Sequence, residues 1–133
     1  MSKSLKRVRA ALDAANVTAD VRETALARTA ADAAAALGCT VDQIAKSIVL
    51  RGETSGEAVL FVTAGGQQVD LTAAAALAGE PLGKADAALI RAQTGFAIGG
   101  VSPVGHVNPA RAWFDRTLLE FDMIWAAAGT PHH

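Results

Sequence analysis

Cysteine is almost absent from this chain: Cys39 stands alone among 133 residues. One thiol closes no intramolecular disulfide, and no Cys/His grouping has zinc spacing. Cys39 follows a helix-ending Gly38 and reads as a small core residue. Aromatic residues are scarce, with four Phe, two Trp and no Tyr. Hydrophobic residues make up 51% of the chain, and many of them are alanine. The core must therefore close by near approach of helices to a sheet rather than through bulky side chains. Excess positive charge is also missing: 12 Lys and Arg face 13 Asp and Glu, for a net charge of −1. No overall basic field draws the chain to nucleic acid, so any RNA contact must be local. Neither a charged-then-apolar leader nor an apolar run of about 18 residues is present, and the expectation is a cytoplasmic protein without a membrane contact.

What is present is a series of short elements with clear end signals. Leu5, Val8, Leu12 and Ala15 recur at helical spacing and predict a helix over 4–15. Its outer face carries Lys3, Lys6, Arg7 and Arg9, either a solvated basic face or a contact to an RNA backbone. Residues 19–23 alternate as a short strand. Thr29 followed by Asp32 opens a second helix that Gly38 stops. Thr40 and Gln43 have capping-box spacing. Residues 47–51 and 58–63 are apolar strands joined by a hairpin loop. Asp70 caps an alanine-rich helix over 71–78, Gly79 and Pro81 break it, and 85–93 form another helix. Strands follow near 112–114 and over 123–128, with a helical step at 116–120. No repeat or linker divides the chain, so the expectation is one α+β domain, 1–133, on a mixed sheet.

The most informative stretch is 94–106, where four glycines, a proline and a serine flank a short apolar run. It predicts a strand over 96–98 running into a tight loop. Adjacent Gly99 and Gly100 permit unusual backbone angles and leave the amides of Gly99, Gly100, Val101 and Ser102 uncovered. Pro103 fixes its own φ and biases Ser102 away from helix. A rigid turn with bare amides can bind a carboxylate, a phosphate or an ester oxygen, and the same composition also serves a purely structural turn. Ser102 lacks a nucleophile elbow and a placed His/Asp pair, so it reads as a loop-fixing hydroxyl. His106 reads as a surface or capping residue rather than a base. Lys46 opens the first apolar strand on the side of Ile48 and Leu50, at the rim of the core. It needs a carboxylate, carbonyls, water or an anionic ligand, or it snorkels to solvent. Thr24 and Thr63 are further pocket candidates at strand ends.

The lysine strand, Ala45 to Leu50, followed at a distance by Gly99-Gly100-Val101-Ser102-Pro103-Val104-Gly105, resembles the YbaK/EbsC family. These are free-standing relatives of the editing domain found in some bacterial prolyl-tRNA synthetases. The resemblance runs from the first helix to about Ala128. It implies a curled, partly barrel-like mixed sheet with helices outside. Relatives continue with another strand and a helix, so it also implies a chain that stops short of the usual end. The implied activity is trans-editing: hydrolysis of the ester joining a small, wrong amino acid (Cys, Ala or Ser) to tRNA, with tRNA(Pro) as the expected carrier. Aminoacyl-tRNA is the implied substrate and prolyl-tRNA synthetase the implied partner. Lys46 and Gly100 are the implied catalytic positions, with Gly99, Val101, Ser102 and Pro103 contacting substrate, and no metal or cofactor is required. Alanine-rich helices lead one to expect little room for a large cavity. Two other readings remain open: a non-catalytic module that binds tRNA ends or a synthetase, and a binder of small carboxylates or nucleotides.

Overall fold

The computed structural model describes residues 2–133. Helix α1, Lys3–Ala14, starts where the Ser2 hydroxyl accepts the Leu5 amide, and it buries Leu5 and Val8. Helix α2, Ala30–Leu37, is capped by Thr29 through the Asp32 amide and ended by Gly38 at φ 70°. Gln43 reaches back to the Thr40 amide at 3.0 Å around a 3₁₀ turn, Val41–Gln43. That turn leads into β1, Ile44–Gly52, whose hairpin partner is β2, Ala58–Ala64. Helix α3, Leu71–Ala78, is capped by Asp70. Then come β3, Leu82–Lys84, α4, Ala87–Thr94, β4, Ala112–Phe114, a second 3₁₀ turn, Arg116–Glu120, and β5, Trp125–Ala126.

The sheet is mixed, with strand order β3-β1-β2-β4. β1 runs antiparallel to β2 and to β3, while β5 pairs parallel with the start of β1 and β4 parallel with β2. β3 takes the end of β1 at residues 50–52 and β5 takes its start at 44–45. The path does not close on itself. Every residue of β2 is buried, as its central place requires.

Alternation along β1 sends its side chains to two cores. Ile48 and Leu50 meet Val59, Phe61 and Ala74 on the α3 side. Ala45 and Val49 meet Leu60, Val62, Ala64 and Leu118 on the other. Val49 also touches a third cluster, Val8, Ala85, Ile90, Phe96 and Val101, which joins α1 and α4 to the glycine loop.

Four sequence expectations need correction. Residues 19–23 form no strand; nearby, Thr24 pairs with the C-terminal segment, its amide donating to the His132 carbonyl at 2.7 Å. Residues 96–98 form no strand either. Gly95, at φ 82°, ends α4, and the Phe96 amide turns back onto the Thr94 hydroxyl at 3.0 Å, which leaves Phe96 fully buried without a ladder partner. The last strand covers only two of the six residues expected for it. Cys39 is half-buried rather than in a core.

Candidate functional site

A cavity of about 1080 Å³ opens beside the start of β1. Its walls include residues 44–48 of β1 with Gly65, the irregular segment 17–24, one side of α2, Val8 and Leu12 of α1, the glycine loop and the C-terminal stretch. The expectation of little space was wrong. Small side chains let backbones approach, but the segment 15–29 and most of the C-terminal stretch have no regular structure, and both line the open space. The lining is mostly apolar. Asp20, Arg22, Arg28 and Asp122 also contribute to it, and all four are exposed at the rim.

Lys46 lies in this cavity, half-buried, on the face of β1 that carries Ile48 and Leu50. Its ammonium donates to the Gly65 carbonyl at 3.2 Å, which leaves donor capacity for a ligand. Ser47, the next residue, also lines the cavity, and its buried hydroxyl has no partner among the described residues. A buried hydroxyl without a partner is uncommon and marks a position where a ligand oxygen or nitrogen would fit. Reading the strand for its lysine alone passes over Ser47, although the dipeptide is visible in the sequence. Thr24 lines the cavity as expected; Thr63 does not, and its buried hydroxyl has no partner among the described residues.

The loop divides its work among its residues. Gly99, Val101, Ser102 and Pro103 line the same cavity as Lys46. Gly99 needs its φ of 90°, which side chains rarely adopt. The Ser102 hydroxyl accepts the Val104 amide at 3.1 Å, so it fixes the turn, as the sequence suggested. The amides of Val101 and Ser102 have no acceptor among the described residues, although Val101 is buried and Ser102 fully so. Buried backbone donors are almost always paired, so these two amides keep donor capacity for an incoming oxygen.

Gly100 stands apart from this group. It is buried outside the cavity lining, and its amide donates to the Ala97 carbonyl at 3.0 Å. A Cβ there would meet the Thr130 backbone at 2.9–3.1 Å. Glycine is required at this position by the C-terminal turn crossing over it, a contact thirty residues away that loop composition does not reveal.

Two residues support the loop from behind. Arg7 belongs in sequence to the basic face of α1, for which a solvated surface and an RNA contact were both open, yet its guanidinium turns inward. It donates to the Gly95 carbonyl at 2.8 Å and the Gly105 carbonyl at 3.3 Å, and it lies 4.8 Å above the Phe96 ring. His106 is half-buried, with its ring edge-on to Phe96 and its Nε2 2.6 Å from the Ser102 carbonyl. A carbonyl only accepts, so Nε2 carries the proton. His106 thus caps the Ser102 carbonyl, as one of the two sequence readings had it, and braces the loop from outside the cavity lining.

Among the described residues two carboxyls have clearly displaced acidities, Glu80 and Asp115, and both are structural. Glu80 is held below its ordinary range chiefly by the Ser55 amide, with Thr54 and Arg111 adding to it, and it ties the hairpin loop to β4. Burial pushes Asp115 up, but amide donors from Thr117 and Ala64 outweigh it and the net shift is downward.

Comparison with known proteins accords with this geometry. Residues 24–133 match the model of the aminoacyl-tRNA editing domain. The uncharacterized protein YwhH of Bacillus subtilis is 31% identical over 128 residues, covering 96% of this chain and 81% of that protein. A crystal structure of a candidate trans-editing enzyme for prolyl-tRNA synthetase superposes with a TM-score of 0.89 at 45% identity, over 99% of this chain and 84% of the other. A scaffold protein used for computational epitope grafting superposes at 0.88 with 44% identity, over the same shares. The mixed sheet and its flanking helices thus have their place in a known family: the chain belongs to the aminoacyl-tRNA editing domains.

Proposed function

We propose that this protein is an aminoacyl-tRNA deacylase that acts in trans on tRNA carrying a small, wrong amino acid of the Cys, Ala or Ser class. The observation that carries this reading is the pair of unpaired amides at Val101 and Ser102, in one cavity with Lys46 and Ser47. An ester carbonyl seated on those amides would have its developing negative charge stabilised by them as water attacks; the acyl–ribose C–O bond then breaks, and the leaving ribose oxygen takes up the proton that water loses. One such donor is typically worth about 2.7–4 kcal/mol of activation free energy. Lys46 would hold the ribose or phosphate of the tRNA end, and Ser47 would bond a polar group of the bound aminoacyl ester. The Ser102 hydroxyl is committed to Val104, which argues against a covalent acyl intermediate on it. Gly100 shapes the turn that presents its neighbours.

The biological need is physical. A synthetase pocket rejects an amino acid lacking one methylene by only about 1–3 kcal/mol, so a second site must remove the misfit product. Prolyl-tRNA synthetase is the proposed partner, and tRNA(Pro) the proposed carrier, because of the 45%-identical structural relative. The work would take place in the cytoplasm; among the described residues no helix is long and apolar enough to cross a membrane. With so much volume, selection for small side chains rests on which part of the cavity receives the amino acid rather than on its total size. A panel of charged tRNAs tests the reading. Release of Ala, Ser or Cys, with Phe, Trp and Arg esters left intact, is expected. Hydrolysis of bulky esters with none of the small ones would overturn it.

A further inference from the structure

We propose that Arg7 and His106 are positioning residues that hold the Val101 and Ser102 amides in register for catalysis, an inference resting on the deacylase reading above. Arg7 sits on α1, outside the residues 24–133 that match the editing-domain model. From there it reaches both ends of the glycine loop. Nη2 donates to the Gly95 carbonyl at 2.8 Å and Nε to the Gly105 carbonyl at 3.3 Å. Only a planar guanidinium supplies two donors in one fork, so lysine cannot close the loop in the same way. The Arg7 Cζ lies 4.8 Å from the Phe96 ring centre, and that ring meets His106 edge-on at 5.5 Å. His106 then donates from Nε2 to the Ser102 carbonyl at 2.6 Å.

These contacts fix the loop at its two ends and at Ser102. The Ser102 carbonyl sets the rotation of the peptide after Ser102, and the Ser102 hydroxyl, bonded to the Val104 amide, secures the turn beyond it. None of the contacts uses the Val101 or Ser102 amide. The clamp therefore orders the loop and leaves its two donors free. Catalytic donors must be pre-oriented to be effective, and a misplacement of about 1 Å can cost about 10²-fold in rate.

The test compares Arg7→Lys, Arg7→Met, His106→Gln and His106→Phe in the full chain, by steady-state deacylation of alanyl-tRNA and by the amide nitrogen and proton shifts of Val101 and Ser102. Glutamine places an N–H near the position of Nε2, while phenylalanine keeps the ring contact and loses the donor. Expected are falls in kcat of about tenfold or more in both Arg7 variants and in His106→Phe, with KM little changed, shifted Val101 and Ser102 amides, and recovery of most of kcat in His106→Gln. Should Arg7→Met fail to fold, Arg7→Lys carries the comparison. An effect on KM alone that Arg7→Lys rescues would make Arg7 an RNA contact and overturn the clamp. Wild-type kcat in Arg7→Lys and His106→Phe would overturn it too. Loss of activity in His106→Gln with unmoved loop amides would make the imidazole a base and contradict its role as a brace. If the wild type releases no amino acid from any tRNA of the panel, the deacylase reading fails by itself. The clamp is then judged on the shifts alone, and unmoved Val101 and Ser102 amides in Arg7→Lys and His106→Phe would refute it.

Discussion

Replacing Gly100 with alanine should cost stability before it costs catalysis. The new Cβ would stand 2.9 Å from the Thr130 Cα and 3.0 Å from its carbonyl carbon, where ordinary contact begins at 3.4 Å. The C-terminal turn must therefore withdraw by about half an ångström. It cannot do so freely, because the Thr24 amide holds the His132 carbonyl at 2.7 Å and the Ala128 amide holds that of His133 at 2.9 Å. Overpacking against a restrained backbone typically costs about 1–3 kcal/mol. For a domain of this size each kcal/mol lowers the unfolding midpoint by about 4 °C, so a fall of about 4–12 °C is expected. Circular dichroism against temperature gives the midpoint, and deacylation well below it gives the rate per folded molecule. That rate should stay within about threefold of wild type, because the Cβ points at Thr130 and the Arg7 and His106 contacts remain. An unchanged midpoint with abolished turnover would refute this, since the methyl group would then be meeting substrate rather than the C-terminal turn.

Lys46→Ala should lower kcat/KM by about 10²-fold or more while leaving the midpoint close to wild type, because the ammonium makes one hydrogen bond, to Gly65, and the rest of its work is on substrate. A folded variant with normal turnover would contradict the site. Gln93→Leu should destabilise by about 2–4 kcal/mol in denaturant titration, since Gln93 accepts the Ala58 amide at 2.8 Å and donates to its carbonyl at 3.0 Å, and both groups would be left buried and unpaired; a change below about 1 kcal/mol would show that water replaces it. Glu80, depressed from its ordinary 4.5, binds fewer protons folded than unfolded, so its contribution is present above that value and is lost as the pH falls through the folded one. Glu80→Gln should accordingly flatten the acid limb of the stability profile below 4.5, and an identical limb in the variant would remove Glu80 from it.

Local signals were legible wherever one residue both starts or stops an element and shows it in its side chain. Thr29 and Gly38 bound α2, Asp70 and Gly79 bound α3, and the turn between β1 and β2 is visible as a polar, glycine-flanked run. Lys46 and the loop residues were found because a motif marks them, and the structure brings Lys46, Gly99, Val101, Ser102 and Pro103 to one cavity. What escaped depends on distant partners. The inward turn of Arg7 is invisible among Lys3, Lys6 and Arg9, because charge pattern does not tell a clamp from a solvated cation. Phe96 resembles the start of a strand until Gly95 is seen ending α4 at positive φ. The need for glycine at position 100 lies in Thr130, and the parallel pairing of β5 with β1 joins residues about eighty apart.

The central claim is catalysis, and it is tested most directly by incubating a trace of the protein with a large excess of alanyl-tRNA(Pro) and following free alanine. Many alanines released per protein molecule, abolished by Lys46→Ala, is the expected result. Stoichiometric retention of the charged tRNA, with no alanine released above the uncatalysed rate, would contradict it and leave a module that only binds tRNA ends.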